Sequence, residues 1–172
     1  MSRPSVLISM VVNGRPVEVA APPHHTLLEV LRERLDLIGT KQGCDKGDCA
    51  ACTVQLDGRP VLSCLTLAVQ ADGREVTTVE GLDGPTPHPL PVAFADWNAA
   101  QCGFCTPGIL MQAEHLVREA GRPVTRGEVA EALAGNLCRC TGYEKILAAV
   151  VDASEQLSRE EASGPAPAGT EE

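Results

Sequence analysis

Eight cysteines fall into two quartets of different spacing, and no other feature restricts the fold so tightly. Cys44, Cys49, Cys52 and Cys64 have the form C-x4-C-x2-C-x11-C, whereas Cys102, Cys105, Cys138 and Cys140 have the form C-x2-C-x32-C-x1-C. Four disulfides would need an oxidising compartment. The N-terminus argues against one, because Met1-Ser2-Arg3-Pro4 runs straight into an alternating Val6–Val12 stretch. There is no long apolar leader and no twin arginine. No apolar run reaches membrane-spanning length. The expectation is a cytoplasmic protein, whose reduced thiols bind metal or do chemistry.

The first quartet matches the plant-type [2Fe–2S] pattern. Four thiolates make such a centre anionic, so the loop has to approach it with backbone N–H groups. Gly43 and Gly47 permit that approach and positive φ. Lys41 and Lys46 either offset charge or are plain solvated lysines. Structural zinc is the alternative, but zinc ligands usually come as two short knuckles. Here three cysteines crowd into nine residues and the fourth stands apart. A Rieske centre needs two histidines. His24, His25, His88 and His115 are not interleaved with the cysteines, and read as surface or helix-end residues.

Cys102 and Cys105 directly precede a helix start, with Thr106 as candidate N-cap and Pro107 at the first helical position. Thiolates there sit at the positive end of a helix. Cys138 and Cys140 need a turn to converge, since i and i+2 do not meet on a regular strand. Asn136, Thr141 and Gly142 supply turn chemistry. A helix from Tyr143 aims a second N-terminus at the same place. Spacing alone leaves an iron–sulfur cluster and zinc equally open for this quartet.

Around the quartets the chain changes character once. Residues 5–12, Asn13-Gly14 and Arg15–Ala20 predict a β-hairpin. Thr26-Leu27-Leu28-Glu29 has the form of a capping box for a helix over 27–35. Short strands follow at Thr53–Leu56, 59–63 and 75–79. Gly81–Pro87 reads as a linker. Helical periods then take over at 90–99, 107–120, 125–135 and 143–157. The expected architecture is α+β: a β-grasp domain over 1–81, an all-α four-helix domain over 82–158, and a disordered acidic tail over 159–172. Only Trp97, Tyr143, Phe94 and Phe104 are aromatic. Two small cores so poor in aromatics call for a staple, and bound metal is a natural one. Net charge is −9, with no Lys/Arg cluster, so neither nucleic acid nor an anionic membrane has electrostatic support as a partner.

Gly39-Thr40-Lys41-Gln42-Gly43-Cys44, Cys52-Thr53-Val54, Gln101–Gly108 and Asn136–Tyr143 together resemble the small iron–sulfur subunit of the molybdenum hydroxylases. That family includes xanthine dehydrogenase, aldehyde oxidoreductase and carbon monoxide dehydrogenase. The likeness covers roughly residues 5 to 155 in order. Ala50 departs from it, standing where the family often has glycine, and Pro91 stands where glutamine is usual.

The resemblance implies a plant-type ferredoxin-like domain and a four-helix domain, each holding one [2Fe–2S] cluster on its quartet. It implies that Gln101 and Cys140 contact the molybdopterin of a separate large subunit. Electrons would pass from molybdenum through the two clusters to FAD on a medium subunit, or to another acceptor. A heterotrimer follows, and a dimer of heterotrimers is compatible with it. The chain has no dinucleotide or P-loop motif and is not expected to be catalytic by itself. A free-standing soluble ferredoxin is the alternative, although a lone carrier needs neither Gln101 nor a helical domain.

Overall fold

Asn13 and Gly14 take φ of 49° and 74°, the backbone that a two-residue turn between twisted strands requires. They join β1 (Val6–Val12) to β2 (Arg15–Ala21), antiparallel with Val12 opposite Arg15. The computed structural model describes residues 4–84 and 86–163, with the side chains of 161–163 left out. Asp57-Gly58 repeats the positive-φ pair and joins β3 (Thr53–Leu56) to β4 (Arg59–Leu62). The last strand, β5 (Glu75–Thr77), lies parallel to β1 and antiparallel to β3, giving the order β2-β1-β5-β3-β4.

Helix α1 (Leu27–Glu33) begins at the predicted capping box. Thr26 Oγ1 accepts the Glu29 N–H at 3.2 Å, and the Thr26 N–H donates to the Glu29 carboxylate at 2.6 Å. Leu27, Val30 and Leu31 are buried against Ile8, Met10 and Val12 of the sheet. Helix over mixed sheet is the β-grasp.

The closing strand is shorter than its 75–79 pattern. Asn13 captures the Thr78 backbone N–H at 2.8 Å and takes it out of the ladder, and Val79–Leu82 then forms a 3-10 turn. The chain changes cores here: Val76 belongs to the first, while Leu82 lies in the second and Val79 packs on it.

The second core is built by α2 (Pro89–Asp96), α3 (Thr106–Ala120), α4 (Arg126–Ala132) and α5 (Glu144–Ser163), around Leu90, Ile109, Met111, Leu133, Ile146 and Val150. The His88 ring caps α2 by accepting the Leu90 N–H at 3.2 Å. The Thr125–Glu128 capping box opens α4 as expected. Gly121, at φ 56°, ends α3 with a left-handed residue. Helix α5 continues past Arg159, where the tail was expected to start, because Glu160–Ser163 contain no breaker before Gly164-Pro165. Residues 164–172 lie outside the described residues. Among the described residues no helix is long and apolar enough to cross a membrane.

The two halves meet on β3. All four of its residues are buried, although a sheet with one covered face would leave alternate residues wet. Val54 and Leu56 face the first core. The Gln55 amide donates to the Met111 carbonyl of α3 at 3.0 Å and to the Glu114 carboxylate. Arg118 donates to the Gly58 carbonyl at 2.6 Å, and the His115 ring meets the same oxygen at 3.1 Å. His115 is therefore an inter-domain contact and not a surface residue.

Candidate metal centres

The first cysteine loop has no regular structure and is held from outside. Arg32 donates to the carbonyls of Ile38 and Thr40 at 2.9 and 2.7 Å, and the Gly39 N–H donates to Glu80 at 2.7 Å. Within it Asp45, Gly47 and Ala50 take positive φ. The result is a nest of N–H groups. The Lys46 N–H reaches the Cys44 sulfur at 3.5 Å. With help from the N–H groups of Cys49 and Asp48 and the Cys49 thiol, it lowers the Cys44 thiol to about 7. Burial raises Cys49, and burial together with the adjacent Cys52 thiol pushes Cys64 to about 12. The backbone of Lys46, not its ammonium, serves the sulfur, while the Lys41 ammonium is occupied by the Ile38 carbonyl. Gly47 meets the positive-φ expectation at 83°. Gly43 is needed for space, since a Cβ there would lie 2.8 Å from the Cys49 sulfur.

Ala50 holds φ at 52° without being glycine. That conformation costs an L-residue about 1–2 kcal/mol, partly offset because alanine is stiffer than glycine when unfolded. Ala50→Gly is therefore expected to stabilise the folded chain by about 0.5–1 kcal/mol. The denaturant midpoint should rise, and a fall would refute the strain argument.

The second quartet draws on both ends of the helical domain. Cys102 and Cys140 are exposed, with sulfurs 3.6 Å apart, whereas Cys105 and Cys138 are partly buried. Burial and the Cys138 thiol push Cys105 to about 12. At Cys138 burial opposes ionisation, but the Thr141 hydroxyl and the N–H groups of Cys140 and Thr141 outweigh it and lower the thiol. The neighbouring Cys102 thiol raises Cys140. Thr106 is not the cap of α3. Cys105 already has helical backbone at that position, makes no side-chain cap, and accepts the Ile109 N–H at 3.1 Å. Gln101 is exposed directly beside Cys102.

Tyr143 organises the Cys138 turn through its hydroxyl, a role its place at a helix start does not announce. The Tyr143 hydroxyl accepts the Cys138 N–H at 2.6 Å and donates to the Asn136 carbonyl at 2.7 Å. In the sequence Tyr143 marks only a helix start and the end of the Asn136–Tyr143 motif, with nothing to show what its hydroxyl does. Tyr143→Phe should leave that N–H and C=O without partners, a loss of about 1–3 kcal/mol. A chelator should then strip iron faster from the second site than from the first, as followed by the two EPR signals. Equal rates would contradict the clip.

In each quartet every sulfur has a close thiol neighbour, with weaker interactions across the pairs. Cys44 neighbours Cys49 and Cys52 neighbours Cys64 in one; Cys105 neighbours Cys138 and Cys102 neighbours Cys140 in the other. A single zinc ion draws four thiols to one point, whereas the irons of a two-iron centre take two protein ligands each. The donor set suits two-iron clusters.

Residues 10–78 match the family described as the 2Fe-2S iron-sulfur cluster binding domain, and residues 78–151 match the [2Fe-2S] binding domain. The small subunit of nicotine 6-hydroxylase from Paenarthrobacter nicotinovorans is 51% identical over 152 residues, spanning 88% of this chain and 92% of that protein. The chain belongs to the small iron–sulfur subunits of the molybdenum hydroxylases. The aldehyde oxidoreductase iron-sulfur-binding subunit of Escherichia coli is 41% identical, covering 87% of this iron–sulfur subunit and 72% of its relative. Its fold matches a chain of quinoline 2-oxidoreductase from Pseudomonas putida 86 with a TM-score of 0.86 and 46% identity, over 91% and 97% of the two chains.

Proposed function

We propose that this chain is the electron-transfer subunit of a multi-subunit molybdenum hydroxylase. Cys44, Cys49, Cys52 and Cys64 would hold one [2Fe–2S] cluster, and Cys102, Cys105, Cys138 and Cys140 the other. When bound, each cluster supplies a centre that accepts and releases one electron. The observation that carries the reading is the convergence of four thiols in each quartet, combined with the exposure of the Cys102–Cys140 pair only. The Cys102–Cys140 pair and Gln101 form the surface at which a large subunit carrying molybdopterin docks. Cys105 and Cys138 face inward, and the Leu137 N–H donates to the Cys49 carbonyl at 3.1 Å, which ties the two cysteine loops together. A medium FAD subunit is the proposed acceptor, and the cytoplasm, where thiols stay reduced, is the proposed location. The free-standing ferredoxin gains no support from relatives that are themselves subunits.

The test is purification with the partner subunits, followed by iron, acid-labile sulfide and EPR analysis. Two distinct [2Fe–2S] signals are expected. A colourless, zinc-containing protein without sulfide would overturn the assignment, and an isolated small species on gel filtration would return the free carrier.

A further inference from the structure

Phe104 lies between Cys102 and Cys105 in sequence, which assigns it to the second site. The structure brings its ring against the first cysteine loop. It packs into neither hydrophobic core and is 47% exposed. Its Cε1 lies 3.5 Å from the point where Gly43 would carry a Cβ, and the Cys49 sulfur lies 2.8 Å from that same point. Ring and sulfur thus flank one gap, left open by a glycine of the first cysteine loop. Gly103, at φ 78°, gives the chain the left-handed step just before Phe104. The Leu137 N–H contact to the Cys49 carbonyl brings the other half of the second quartet to the same residue.

Resting on the cluster assignment above, we propose that Phe104 is a positioning residue of the first cluster, an apolar wall that keeps water from the Cys49 side. Reduction adds one negative charge to a centre of this kind, and water favours the more highly charged form. The apolar shell around a metal site sets its solvent access and potential. Removing the wall therefore raises the midpoint potential of the first cluster and opens it to chelators. The shift is expected at the first cluster, whose loop the ring meets at Gly43.

The experiment uses the complex purified with its partner subunits, titrated with dithionite and followed by EPR, with Cys64→Ser identifying the first cluster's signal. Phe104→Ala is expected to move the first midpoint upward and leave the second in place, and to speed loss of the first signal to a ferrous chelator several-fold. Phe104→Leu, which keeps an apolar cover, is expected to restore most of the wild-type potential and protection. If the alanine variant does not assemble, a smaller upward shift confined to the first cluster in the leucine variant supports the wall in its place. A shift confined to the second cluster, or no shift in either, overturns the proposal. A wild-type complex with fewer than two signals overturns the cluster assignment, and this inference with it.

Discussion

Gly108→Ala is expected to destabilise the protein by about 3 kcal/mol, against a helix propensity that favours alanine by about 1 kcal/mol. Gly108 lies in the first turn of α3, where an exposed glycine would ordinarily gain from the change. Here an added Cβ would overlap the Ala50 carbonyl oxygen, well inside van der Waals contact, and lie 3.1 Å from the Ala51 Cα. Both obstacles are backbone, so no rotamer change relieves them. Nor can Ala50 retreat freely, because its carbonyl accepts from the Thr53 N–H and hydroxyl at 3.2 and 2.8 Å and from the Asn136 amide at 3.4 Å. Overpacking therefore outweighs propensity. At this chain length the loss corresponds to roughly 6–12 °C in the thermal midpoint, read by circular dichroism on the cluster-loaded chain. A midpoint unchanged or raised would show that α3 slides away from the first cysteine loop at no cost.

The second large effect is chemical. Cys140→Ala removes one member of the exposed sulfur pair and leaves Cys102 without its neighbour. The fold should survive, because Cys140 contributes to neither core and the adjacent turn stays clipped by Tyr143. Changes outside the ligand set of a metal site already cost 10–100-fold in affinity or activity. Loss of a ligand should therefore cost more than about 100-fold in turnover of the complex. One of the two dithionite-generated EPR signals should vanish or change shape while the other persists. Lys46→Ala is the control, since only the backbone N–H of Lys46 reaches a sulfur. Two unaltered signals in Cys140→Ala would remove this residue from the site.

Much of this was legible in the residues because local chemistry decides it. Asn13-Gly14 and Asp57-Gly58 fix their hairpins by backbone conformation, and the Thr26 and Thr125 capping boxes fix two helix starts. The cysteine spacing divides the eight thiols into the same two groups whose members neighbour one another in the structure. What could not be read were relations between distant segments. The Cys102–Cys140 pairing of sulfurs joins residues 38 apart. Gly108 looks like an ordinary helix glycine until Ala50 is placed against it. Thr106 has the right chemistry for an N-cap, but Cys105 has already turned helical, and a pattern of residue types does not reveal that one-residue slip. The extra turn of α5 was missed for a different reason: the charged, polar stretch after Arg159 suits a solvated helix end as well as a tail.

The burial of β3 on both faces bears on how the molecule folds. Its Val54 and Leu56 belong to the ferredoxin-like half, while Gln55 is satisfied only by α3. A fragment ending near residue 78 would carry a central strand with a buried amide suddenly unpaired and a dry surface turned to water. The halves therefore make one cooperative unit, in which the sheet that cradles the first cysteine loop is finished only when the helices arrive. The cluster-loaded chain should then show a single unfolding transition, with the loss of both cysteine sites coinciding with the loss of β3.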